Sequence, residues 1–68
     1  MNYTAVVKQE QGWWIGWIEE IPGVNCQEAS RAELVASLRS ALQEAIDINR
    51  ADARAAAGTN YSEEKIAL

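Results

Sequence analysis

The 68-residue chain contains no histidine. That removes the commonest general base and the commonest metal ligand. A single cysteine, Cys26, cannot close an internal disulfide or build a thiolate metal cage, so the expectation is a reduced thiol in a cytoplasmic protein. Basic residues are few, six against ten acidic ones, and the formal net charge is −4. A general nucleic-acid binder neutralises phosphates with Lys and Arg, so direct DNA binding is not expected. Long apolar runs are also missing. The longest, Trp13 to Ile18, is far too short to span a bilayer, so no membrane partner is expected.

What is present is a globular composition, 49% hydrophobic and 24% charged, in one domain covering residues 1–68. A core of this size rarely supplies more than roughly 3–5 kcal/mol. Without a disulfide or a metal, self-association into a homodimer or a higher homo-oligomer is the expected source of further stability.

Tyr3 to Lys8 is β-branched and aromatic and reads as a strand. Gln9-Glu10-Gln11-Gly12 reads as a hairpin turn. Trp13 to Glu19 reads as the second strand, with Trp13, Ile15 and Trp17 on one face and Trp14, Gly16 and Ile18 on the other. Both faces are apolar, although a surface strand of an antiparallel sheet normally keeps one face wet. One face is therefore expected to pack on a helix and the other to meet a partner. Alternation alone does not decide between Trp13 and Trp14.

Pro22-Gly23 suits a type II turn, and Val24 to Glu28 a short third strand. Ser30 and Glu33 have capping-box spacing and start a helix. Leu34, Val35, Leu38, Ala41, Leu42, Ala45 and Ile46 share one helix face, with Asn49 in the middle of that stripe, either satisfying a buried backbone group or, the favoured reading, lying where the helix has left the sheet. Alanines around 51–57 sustain the helix and Gly58 can end it. Tyr61 to Leu68 reads as a terminal strand, with Ile66 and Leu68 on one face and Glu63, Glu64 and Lys65 guarding an edge. The expected fold is a two-layer α+β sandwich in the order β-β-β-α-β, with a right-handed crossover and sheet order 3-2-1-4.

The strand Tyr3-Thr4-Ala5-Val6-Val7, then Gly12-Trp13-Trp14-Ile15, then Glu20-Ile21-Pro22-Gly23, then Gln27 and the Ser30-capped helix with Glu33-Leu34, together resemble the HicB-like antitoxin domain. The resemblance spans about residues 3–50. It implies a partial ribonuclease-H-like fold and an antitoxin that binds and blocks a small HicA-like ribonuclease toxin. Glu28 stands where many members have a glycine before the helix cap. Many members also carry a C-terminal helix-turn-helix or ribbon-helix-helix domain. The last residues here offer neither, so an autorepressor role is not expected.

Enzymatic activity is not expected, and neither is a cofactor or a bound metal. Active ribonuclease-H folds hold metal ions on carboxylates of the core strands. The first strand offers none between Tyr3 and Val7, and adjacent Glu19 and Glu20 would point to opposite faces. The candidate protein-binding residues are Trp14, Ile18, Glu19 and Glu20. They follow from taking the face of Trp14 and Ile18 as the open one, since Trp is enriched at binding hot spots. Acidic groups near the strand ends (Glu10, Glu19, Glu20, Glu28) serve solubility, or attract a basic RNA-binding partner. Cys26 is expected to be a buried, inert thiol. The alternative function is an orphan self-associating module of the same fold, without a toxin.

Overall fold

The computed structural model describes residues 2–68. Three strands, β1 (Ala5–Glu10), β2 (Trp13–Ile18) and β3 (Asn25–Glu28), form one antiparallel sheet in the order β1-β2-β3. One helix, α1 (Arg31–Ala57), packs across it. The result is a small α+β fold with one sheet layer and one helix layer.

The turns follow their residue chemistry. β1 runs on to Glu10, so the hairpin loop is only Gln11-Gly12, shorter than the four-residue turn expected. Both residues sit at positive φ, 52° and 83°, as a two-residue hairpin turn of the right twist demands. Pro22-Gly23 occupies the two central positions of the next turn. Gly23 has φ 92°, and the Val24 N–H donates to the Ile21 carbonyl at 3.4 Å. The Ser30 half of the capping box forms at the start of α1: the Glu33 N–H donates to the Ser30 Oγ at 3.2 Å, and the Leu34 N–H to the Ser30 carbonyl at 3.0 Å. Gly58 ends the helix at positive φ, its N–H donating to the Arg54 carbonyl.

The core is small. Ile18, Val24, Leu34 and Leu38 are buried, and Tyr3, Val7, Trp14, Ile21, Cys26, Ala41, Leu42 and Ala45 pack around them. The helix stripe therefore meets the sheet from Leu34 to Ala45. Past that point α1 runs on for another twelve residues, about 18 Å, in which every side chain from Asp47 onward is exposed. Asn49 lies in this stretch, where the helix has left the sheet.

One expected element does not form. Residues 59–68 are irregular, with no terminal strand, and β1 remains a sheet edge instead of lying between β2 and a fourth strand. The helix outruns the strands, so the following segment must cover about 18 Å back to the sheet before it can pair. A 27-residue helix is about 40 Å long, whereas a six-residue strand spans about 20 Å. The chain leaves α1 well past the sheet, and the molecule is correspondingly elongated, 51 × 23 × 15 Å. Glu63 and Lys65 do not guard a strand edge; Glu63 instead lies 3.9 Å from Arg54 at the end of the helix.

Candidate protein-interaction face

Strand register fixes which side chains share a face, because directly opposed residues of an antiparallel pair point the same way. On the inner side, Val7 opposes Gly16, which opposes Cys26; Gln9 opposes Trp14, which opposes Glu28; Ala5 opposes Ile18. This side receives α1. Gly16 is the close-approach point: a Cβ there would stand 2.7 Å from the Val6 carbonyl oxygen and within 3.1 Å of both Leu34 and Leu38. Glu28 is drawn to the same side, accepting a 2.6 Å hydrogen bond from the Ser37 hydroxyl and tying β3 to the helix.

The outer side carries Val6 opposite Trp17 and Asn25, Lys8 opposite Ile15 and Gln27, and Glu10 opposite Trp13. Trp13 is 49% exposed and Trp17 41%. Four residues apart on one strand, they stand about 13 Å apart with Ile15 between them. Lys8 and Glu10, neighbours on this face, approach to 3.7 Å as a solvent-exposed ion pair of small energetic worth. The open face is therefore an aromatic strip on β2 with a polar border on both neighbouring strands.

This placement reverses the expected assignment of faces. Trp14 and Ile18 point to the helix, Trp14 half-buried against the core and Ile18 only 6% exposed. They are packing residues in the isolated chain, and the open aromatic residues are Trp13 and Trp17. The signal that could have separated them was Gly16. A glycine between large apolar residues in a strand marks close approach of another element, and Gly16 shares its face with Trp14 and Ile18.

Glu19 and Glu20 lie just beyond β2 and are exposed. Glu20 is held in place: its Oε1 accepts the Thr4 N–H at 2.7 Å, and that hydrogen bond lowers its pKa below the ordinary carboxylate value. Its charge is thus fixed beside the β1–β2 end, while the Glu19 N–H donates to the Thr4 carbonyl. Glu19 borders Trp17 and Glu10 borders Trp13, so each end of the strip has a carboxylate near it.

Cys26 is half-buried on the inner side. Burial raises its pKa first, and the neighbouring Glu28 charge adds to that, which keeps it a neutral thiol. Among the described residues no group of three or more His, Cys, Asp or Glu side chains is arranged to hold a metal ion. Among them, too, no helix is long and apolar enough to cross a membrane.

No family model, curated protein or solved structure matches the chain. The resemblance to the HicB-like domain therefore rests on the sequence pattern alone.

Proposed function

We propose that this domain is an antitoxin-type binding module that blocks a small, basic HicA-like ribonuclease through protein–protein contact. The observation that supports this most directly is the open β2 strip, with Trp13 and Trp17 exposed around Ile15 and carboxylates at both ends. Exposed tryptophans on a small domain are favoured binding anchors, and surrounding water-excluding contacts make them count. The chain's net charge of −4 suits a basic, RNA-binding partner, because complementary charge speeds encounter and selects against wrong partners. Blocking is steric and electrostatic: the strip covers the toxin's RNA-binding surface, and Glu10, Glu19 and Glu20 occupy places that phosphates would take. The partial ribonuclease-H-like identity of the fold belongs to the same proposal.

The test is co-expression with the product of the small reading frame beside the gene. A stable complex that restores growth and stops RNA cleavage is expected. The double variant Trp13→Ala/Trp17→Ala should fold and lose that complex. A complex that forms equally well with the double variant would remove the strip as the binding surface, and no complex at all would favour the orphan module. That second reading draws on a different observation, the unpaired β1 edge.

A further inference from the structure

The sheet is open along β1, and a mostly apolar cleft lies next to that edge. Tyr3, Ala5, Ile18, Val35, Leu38 and Leu42 line it between the sheet and α1, with the charged Arg39 among them. Val35 is exposed, and Tyr3 and Leu42 are only half-covered. An edge strand beside an apolar cleft is a ready template for one more strand. At the far end of the chain Tyr61 to Glu64 lie along Arg50, Ala53, Arg54 and Ala57 of the helix, and the strand-like alternation continues beyond them to an uncovered end. Ile66 is 82% exposed and Leu68 fully so.

We propose that two copies exchange these segments, residues 61–68 of each pairing with the β1 edge of the other and placing Ile66 and Leu68 in its cleft. The helix length favours a second copy over the chain's own edge. From Ala45, where packing on the core ends, α1 carries the chain about 18 Å further before Gly58 releases it. The ten residues that follow reach about 33 Å at most. Return to its own sheet would use more than half of that reach before any pairing began. A copy whose β1 edge lies alongside the protruding half of α1 can pair with the whole segment. Exchange is isologous, since each copy gives and receives the same element, so it closes as a two-fold dimer and stops. It also covers the β1 edge that the single chain leaves bare and enlarges a core in which, among the described residues, four hydrophobic side chains are buried. It leaves the Trp13–Trp17 strip free, and so stands or falls separately from the toxin reading.

The full chain, examined by light scattering after size exclusion, should have twice the 7.5 kDa mass of one chain. Ile66→Glu/Leu68→Glu should halve that mass and leave the far-UV circular dichroism of the helix in place, because both side chains are exposed in the single chain. A second experiment reads the connection itself. In a Cys26→Ala background, a chain with Ala5→Cys is mixed with one carrying Ile66→Cys, unfolded and refolded together, and oxidised. A covalent dimer of the two different chains supports exchange. Three results overturn it: a full chain of monomer mass, a dimer that survives the Ile66→Glu/Leu68→Glu change, and an intrachain bond in a chain carrying both cysteines.

Discussion

Gly16 lies against Leu38, so close that a methyl group on Gly16 would stand 3.0 Å from the leucine Cδ1. Helix and sheet approach each other at that point, and the buried pair Leu34 and Leu38 sits over it. The leucine tips could give way, but the Val6 carbonyl oxygen, 2.7 Å from the same position, is backbone of the paired strand and cannot. Gly16→Ala should therefore destabilise the domain by about 1–3 kcal/mol, the usual cost of overpacking. Urea melts followed by circular dichroism would show it as a lower midpoint. An unchanged midpoint would mean that the sheet and helix are further apart than described.

The three tryptophans should divide into two classes. Trp14 packs against the core, and its removal should cost on the order of 2 kcal/mol, less than the ~3–5 typical of fully buried aromatics. Trp13 and Trp17 lie on the open face, and replacing either by Ala should change stability by about 0.5 kcal/mol or less. Urea midpoints of the three single variants give the comparison. A larger loss for Trp13 than for Trp14 would exchange the two faces of the sheet.

Much of this architecture can be read from local chemistry. The helix start at Ser30, the turn at Pro22-Gly23 and the end at Gly58 each depend on one or two residues whose backbone or side-chain needs are explicit. The face of β2 was legible only through Gly16, because both sides of Trp13–Ile18 are equally apolar and period-two alternation cannot rank them. The absence of a terminal strand has a non-local cause. Ile66 and Leu68 have the alternation of a strand, but α1 releases the chain about 18 Å past the packed core, and much of the following segment's reach goes on the return before any pairing. The length of α1 was visible in the alanines before Gly58; its consequence for the following segment appears only when helix and strand lengths are compared.

At the hairpin, Gln11 adopts φ 52°, a left-handed conformation that costs a residue with a Cβ about 1–2 kcal/mol unless its side chain compensates locally. Asn tolerates that region better, and Asn-Gly is the favoured pair for this two-residue turn. Gln11→Asn should raise stability by about 0.5 kcal/mol, seen as a higher melting temperature, while Gln11→Val should lower it. If both variants melt with the parent protein, the positive φ at this position is not a constraint.

The cap at the other end of the connection to α1 gives an independent check. Ser30→Ala removes the oxygen that accepts the Glu33 N–H and should cost about 1 kcal/mol. Ser30→Asp should restore most of the loss, since its carboxylate can accept the same N–H and meets the positive end of the helix dipole. Denaturation midpoints for the pair test it: equal losses in both variants would show that the hydroxyl's bond is not the source of the effect.

Glu20 gives the domain an acid-sensitive contact between the start of β1 and the end of β2. Its carboxylate accepts the Thr4 N–H at 2.7 Å, and that bond holds its pKa below the ordinary value of 4.5 in the folded chain. A depressed pKa means that the unfolded chain binds the proton more readily, so stability falls as the medium is acidified. The contribution is complete above the unfolded value of 4.5 and is lost as pH falls through the lower folded value. The carboxylate is fully exposed, and added salt should weaken any long-range part of the effect while leaving the short hydrogen bond. Glu20→Gln removes the titrating group but keeps an acceptor oxygen for Thr4. Its urea midpoint should therefore lie below that of the parent at neutral pH, and the gap should close as pH drops below 4.5. A gap that stays constant with pH would show that Glu20 titrates alike in the folded and unfolded chains, and that the Thr4 bond does not discriminate between its charged and neutral forms.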